Sequence, residues 1–388
     1  MNEYVIYFGR FELPDKNALA HRVKANAIAL KNIGYRPILV GYTKTLKSTS
    51  DESVLKTDGI EYYQAPYPSS PIEWIKDYKT YKKIERIVKS RGPQNIKAII
   101  CTGVGPGNLN GLLNISKKYK IPIAYDVVDW FAFDQGNSIL RLYKKSEDWY
   151  LRRIIEPKIL NYICISSFLG EHYSKTGRNI VVIPSLTFSD DERFNTQSSY
   201  IASNRIEICY AGSPGYKGAK DKINWVVRAF NEINHPNSHL SVYGIEKEAF
   251  FEQFPELEAF RDNQAVTYYG RRPNQECIEA IKKSDFFAFA RTVDRMTTAG
   301  FPTKYSECSA LQTPVITTPT SDLREYVINN KNGFLADDCT YEAFKEAMMS
   351  ALDTSTEQRT EMHKLQSALD ESYWEKRIAD FIDSLLIE

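Results

Sequence analysis

The residues best placed to do chemistry lie between positions 286 and 326. Phe286 to Ala290 is a continuous apolar run ending on Arg291, which puts a guanidinium at the carboxyl end of a strand. A polar stretch containing Arg295 follows, then Gly300, Phe301, Pro302 and Thr303, and a helical pattern opens at Lys304. Thr303 is placed to cap that helix, whose first backbone N–H groups would hold an anion. Glu307 falls one turn in, where a carboxylate can accept paired hydrogen bonds from the vicinal hydroxyls of a ribose. Arg291, Arg295 and Lys304 would offset the charge of a diphosphate. Spacing alone leaves Lys304 and Glu307 equally readable as ordinary surface charges on a helical turn.

A second basic cluster lies upstream. The apolar run 206–211 ends at Gly212 and Ser213, and a loop through Gly215 leads to Lys217, Lys220 and a helical pattern over 223–233. Glycines here allow close backbone approach, and a lysine just ahead of a helix start suits a phosphate. Lys217 and Lys220 compete for that role, and the spacing to Arg228, Ala229 and Phe230 favours Lys220.

In the first half, residues 9–22 form the loop after the first strand and the start of the first helix. Asn17 is a candidate cap there, and His21 and Arg22 are candidates to reach a sugar or phosphate. Asp126 and Asp129 close another apolar strand beside Trp130 and Phe131, and a carboxylate next to an aromatic face suits a sugar. Residues 72–91 carry Trp74, Tyr78 and Tyr81 among seven lysines and arginines. A basic aromatic helix of this kind can rest on an anionic bilayer, although most charge runs are simply solvated faces.

The surrounding elements are legible from their alternation. Short apolar runs at 4–8, 37–41, 98–102, 121–126, 162–166 and 181–184 are separated by helical patterns, as expected for a parallel sheet covered on both faces. Residues 185–204 are polar and read as a linker. A second alternating series runs through 207–211, 240–244, 266–270, 286–291 and 314–317. Helical patterns lie between its runs, at 223–233, 275–283, 304–311, 321–329 and 341–352. The 388 residues thus predict two α/β units in tandem, each doubly wound and binding ligands outside its strands' carboxyl ends.

A formal net charge of +1 argues against a dedicated nucleic-acid binder. The six cysteines are scattered with no zinc spacing, and no Asp-x-Asp motif is present, so neither a metal nor another cofactor is expected. No stretch reaches the roughly 20 apolar residues that span a bilayer. With no leader-like start, the expectation is a cytoplasmic protein, with 72–91 as a possible contact with the inner face of the membrane.

Glu307-Cys-Ser-Ala-Leu-Gln-Thr-Pro-Val-Ile resembles the second half of the donor motif of family-4-like retaining glycosyltransferases of the GT-B fold, the bacterial polysaccharide- and capsule-assembly type. The resemblance implies two Rossmann-like domains facing a central cleft. These would be an acceptor-side domain over 1–186, a donor-binding domain over 205–370 and a C-terminal helix over 371–388 packing back on the first. It implies hexosyl transfer from a nucleotide-diphosphate sugar to a glycan or lipid-linked glycan, with retention. Glu307 would hold the donor ribose, and Gly212, Ser213, Lys220, Arg291, Arg295, Gly300, Phe301, Thr303 and Lys304 would complete the donor site. Lys220, Arg291 and Asp129 would serve catalysis, and Asn17, His21 and Arg22 the acceptor side.

Two departures stand out. The motif's first glutamate falls on Ala299, and a histidine expected beside Asp129 is Val128. They motivate a competing reading as a nucleotide-binding partner without turnover. A sugar-nucleotide epimerase of similar build is a further alternative. A nicotinamide oxidoreductase is suggested only by Gly103-Val-Gly105-Pro-Gly107-Asn108, which lacks a third glycine at the required spacing and follows a late strand.

Overall fold

The computed structural model describes residues 3–387 apart from 14–16, 47–52, 69, 71–72, 74–76, 131–144, 176, 189–190, 195–198 and 366–370. Contacts divide the chain into two units. The first comprises Met1–Leu186, Ala299–Phe301 and Glu371–Glu388, and the second Thr187–Thr298 and Pro302–Asp370.

The first unit is built on an eight-stranded sheet in the order β3-β4-β2-β1-β5-β6-β7-β8. Its strands are β1 (Tyr4–Glu12), β2 (Arg36–Thr43), β3 (Leu55–Thr57), β4 (Ile60–Pro66), β5 (Ile96–Thr102), β6 (Ile123–Val127), β7 (Asn161–Cys164) and β8 (Asn179–Val182). Val5, Ile6, Tyr7 and Phe8 are all buried, so β1 is covered on both faces, which is why its sequence is an unbroken apolar run. The expected strands are present, but the sequence reading passed over β3 and β4. They form an antiparallel hairpin joined by Asp58-Gly59, both with positive φ (48° and 71°), the preferred two-residue turn for right-twisted strands.

Helix α1 (Ala18–Asn32) starts where Asn17 Oδ1 accepts from Ala20 N at 2.8 Å. Asn17 is therefore occupied as a helix cap. Alanines at 20, 25, 27 and 29 let α1 sink between the sheet and the C-terminal helix Glu371–Asp383, which meets it through Asn32 Nδ2 to Glu375 at 2.8 Å. Arg22 corrects an expectation. It is 2% exposed, with Nε and Nη2 on Asp126 at 2.8–3.2 Å and Nη1 donating to the carbonyls of Ile183 and Pro184. Asp126 also accepts from Tyr7 OH. Arg22 and Asp126 are thus a buried ion pair, closed to a sugar or phosphate.

Residues 72–91 also differ from expectation. The described helix, α2, is Tyr81–Arg91, and Trp74 lies outside the described residues. Tyr78 and Tyr81 turn inward onto α3 (Pro106–Tyr119). A Cβ on Gly107 would meet the Tyr78 ring at 2.0 Å, and one on Gly111 the Tyr81 ring at 2.2 Å. Lys83 is buried and donates to the carbonyl of Gln64, and Arg91 pairs with Glu61. The aromatic side chains named for a bilayer thus serve packing at the two described positions. Among the described residues, no helix is long and apolar enough to cross a membrane.

The second unit is a six-stranded, wholly parallel sheet in the order β11-β10-β9-β12-β13-β14. Its strands are β9 (Ile206–Ala211), β10 (Ser238–Tyr243), β11 (Val266–Gly270), β12 (Phe286–Phe289), β13 (Val315–Thr317) and β14 (Gly333–Leu335). Residues 185–204 are not a simple linker. They include a short 3-10 turn, Glu192–Phe194, in which Arg193 grips the buried Asp191 through Nε and Nη2 at 2.6–3.1 Å.

Arg22→Leu would leave Asp126 buried without its counter-charge, a change that costs about 3–5 kcal/mol. The expected result is a clearly lower urea midpoint for the first unit. Arg22→Lys should recover only part of it, because one ammonium cannot replace the bidentate pair and both carbonyl bonds.

Candidate donor site on the second sheet

Sequence places the chemistry at the carboxyl edge of the second sheet, beginning where β9 ends. Gly212 follows β9 with φ 141°, and its N–H donates to Tyr243 O at 3.2 Å. A Cβ there would lie 1.9 Å from Lys304 Nζ. Gly244, after β10, has φ 102°, and a Cβ on it would meet Gly212 O at 2.2 Å. Both positions need glycine because two backbone loops and a lysine tip share one small space. The chain then turns through Ser213, Pro214 and Gly215 to Lys220, whose N–H returns to Pro214 O at 2.9 Å, and enters α5 (Ile223–Ile233; α4 is Ser167–Tyr173).

Beneath this loop lies a buried charge cluster. Asp221, 0% exposed, accepts from Arg291 Nε at 2.8 Å and from Tyr210 OH at 3.3 Å, and lies 3.7 Å from Lys304 Nζ. Lys304 Nζ also donates to Ala211 O and sits over the rings of Tyr210 and Phe287. Thr318, after β13, fixes Arg291 by accepting from its N–H at 2.9 Å and donating to its carbonyl at 2.8 Å. Burial opposes the charge on Asp221, but Lys304 and Arg291 outweigh it and hold the carboxyl below its ordinary value. Burial, reinforced by Asp221, pushes the Tyr210 phenol up. Arg291 and Lys304, read from sequence as diphosphate partners, are therefore both buried and engaged by one carboxylate.

Glu307 stands one turn into the helix Thr303–Ala310 and is half-buried. No described residue hydrogen-bonds its carboxylate. Burial raises its pKa, while Lys304, Arg193 and Lys220 pull it back down. Lys220 is exposed and within electrostatic reach of both Glu307 and Asp221. Lys217, its rival, has φ 50°, and its backbone N–H takes Gln253 Oε1 at 2.9 Å. Thr303 corrects the expected cap. Pro302 occupies the cap position in extended conformation, and Thr303 is the first helical residue, so no side chain caps this turn.

The remaining candidates lie apart in character. Arg295 is exposed and opens the short helix Arg295–Ala299, which the sequence reading left as loop. Ser213 is exposed, Gly300 half-exposed and Phe301 buried. Ala299 is 0% exposed, and its carbonyl accepts from Ser166 Oγ at 2.6 Å, both residues grouping with the first unit. In that unit Asp129 is exposed, Val128 and His21 are partly buried, and Phe131 lies outside the described residues. Trp130 is engaged, with His172 edge-on at 4.6 Å and the Arg152 guanidinium 4.5 Å above the ring. Sequence reasoning missed Asp221, Tyr210, Thr318 and Arg193. The one available signal was an acid between Lys220 and Lys222 immediately before a helix.

Removing the carboxylate at position 221 strands two buried cations. Asp221→Ala should cost about 3–5 kcal/mol. Because the folded pKa is depressed, the contribution of Asp221 is present above its unfolded value of about 3.9 and lost as pH falls below it. Thermal unfolding from pH 7 down to 3 should therefore fall more steeply in wild type than in Asp221→Asn, which starts lower and varies less.

Residues 192–366 match the family model described as glycosyl transferases group 1. Among solved structures, the chain is similar to an alpha,alpha-trehalose-phosphate synthase (UDP-forming) from Burkholderia vietnamiensis. The TM-score is 0.68 at 10% identity, covering 99% of this chain and 97% of that one. Anabaena HepE, solved in complex with UDP and glucose, matches at TM-score 0.64 and 14% identity over 99% and 100% of the two chains. A glycosyltransferase from Rickettsia africae matches at 0.63 and 16% over 98% and 95%. No protein of curated function matches the sequence. At these identities the likeness shows the fold, which is GT-B with two parallel-sheet Rossmann-like domains. The residues matched by the glycosyl transferases group 1 model fall in the second unit apart from Ala299–Phe301, and that unit holds the glycine loop, the buried Asp221 cluster and the half-buried Glu307.

Proposed function

We propose that the protein transfers a sugar from a nucleotide-diphosphate sugar to a glycan or lipid-linked glycan, with retention and without a metal, in cell-surface polysaccharide synthesis. The observation that carries this reading is Glu307, a half-buried carboxylate with no hydrogen bond from any described residue, among three cations at the carboxyl edge of a parallel sheet. Such a group accepts both hydroxyls of a ribose, as an ionised carboxylate has acceptor sites to spare. The diphosphate would lie toward the glycine loop. There the Asp221 cluster holds two buried cations against one buried anion, and Lys220 adds an exposed cation. Departure of the nucleoside diphosphate is stabilised by these fixed charges. UDP, named for Anabaena HepE and the Burkholderia synthase, is the first donor nucleotide to try. In this reading Asp129 and His21 act on the acceptor side, and Arg295 and Ser213 reach the donor from exposed positions. Contact of 72–91 with a bilayer would rest on its exposed lysines, since Tyr78 and Tyr81 are turned inward.

A second reading, nucleotide binding without turnover, is favoured by one observation. Ala299 is fully buried where the motif has a sugar-contacting glutamate. Sugar release or transfer from the bound donor in the presence of lipid-linked acceptors would sink it.

Glu307→Ala should abolish binding in a thermal-shift screen with UDP, GDP and CMP, while its unliganded melting temperature stays near wild type. Unchanged affinity would refute the ribose role. With the carboxyl raised, wild-type affinity should begin to fall at a pH above the ordinary value of about 4.3. Glu307→Gln should lack that component. Lys220→Ala should lower turnover more than nucleotide affinity, and unaltered turnover would move the phosphate role to another cation.

A further inference from the structure

The first unit holds a cavity of about 320 Å³ whose lining includes Tyr78, Pro106, Gly107, Asn110, Glu147 and Tyr150. That is within the roughly 300–1,000 Å³ of small-molecule sites. Its wall is built with some care. Asp77 is fixed by Arg10 Nη2 at 3.0 Å and Tyr42 OH at 2.5 Å, and Asn108 Nδ2 donates to Asp77 O at 2.8 Å. The next residue, Tyr78, is thereby laid across Gly107, where any side chain would collide with its ring. Gly107, in the first turn of the helix, is thus what lets the Tyr78 ring lie against its backbone. Tyr78 OH then donates to Glu147 Oε1 at 2.5 Å, which orients the carboxylate at the cavity. Tyr150 is 39% exposed and closes a helical run, 145–150. The chain continues from it as a π-helix, Leu151–Ile155, a rare conformation that is frequent at functional sites.

We propose that this cavity is an acceptor subsite for a neutral, hydroxyl-rich sugar ring, packed on Tyr150 and hydrogen-bonded by Glu147 and Asn110. Calling the ring an acceptor rests on the glycosyltransferase reading; the sugar site itself does not. The lining fits that chemistry. Tyrosine and proline faces meet the C–H faces of a pyranose, and the carboxylate and amide meet its hydroxyls. Among the described residues no lysine or arginine lines the cavity, and Glu147 repels phosphate, which distinguishes this site chemically from the cationic edge of the second sheet.

Saturation-transfer NMR with the methyl glycosides of glucose, galactose, mannose and N-acetylglucosamine tests it, with UDP affinity measured in parallel. At least one glycoside should take up saturation from wild type. Tyr150→Ala, at an exposed position, and Glu147→Gln should each lower that signal five-fold or more and leave UDP affinity unchanged. If no glycoside is saturated, or if the signal survives Tyr150→Ala, the subsite is refuted. Glycoside binding at Tyr150 with no UDP binding would support the subsite and defeat the donor reading instead.

Discussion

The second unit depends on one buried carboxylate. Asp221 gathers Arg291 from the end of β12, Lys304 from the helix beyond it and Tyr210 from β9. A buried cation without a partner is costly, so neither Arg291 nor Lys304 would stay at this edge without Asp221. Two cations against one anion leave a surplus of one positive charge directly beneath a loop that only glycine can form. Backbone N–H groups and buried charge then act on the same small region, where solvent screens them least. The first unit repeats the tyrosine–carboxylate–arginine arrangement in Tyr7, Asp126 and Arg22, but with a single cation. That cluster is neutral. The carboxyl edge of the second sheet is thus charged for an anion, and the corresponding cluster of the first is not.

Much of this was legible from sequence because it follows from covalent pattern. Unbroken apolar runs such as Val5–Phe8 and Phe286–Ala290 can only be strands buried on both faces, and they alternate with helices as parallel sheets require. What escaped was set by individual residues against a polar background. Asp58-Gly59 is a hairpin signal, but one of the strands it joins, Leu55–Thr57, has only three residues and is largely exposed. Residues 185–204 look like linker because their composition is polar, yet Asp191 is buried there with Arg193 as its counter-charge.

The site was legible to the same degree and for the same reason. Residue types at Glu307, Lys220 and Gly212 announced anion and diol chemistry, but nothing local says which cations face a ligand and which face the interior. Arg291 and Lys304 were both read outward; their partner Asp221 lies 70 residues from one and 83 from the other in sequence. Charge pairing at such separation is a property of the fold alone. The same holds for Arg22, whose partner Asp126 lies 104 residues away in sequence.

Glu307 shows how these layers combine. Burial raises its pKa and works against the ionised form, while Lys304, Arg193 and Lys220 work for it. Two of those three cations are themselves held by carboxylates, Lys304 by Asp221 and Arg193 by Asp191. Their influence on Glu307 is therefore that of fixed, partly compensated charges, which lose no conformational freedom when a nucleotide arrives. Lys220 alone among the three is exposed. The two buried cations favour the ionised form of Glu307 from fixed positions, and Lys220 adds to them from an exposed one.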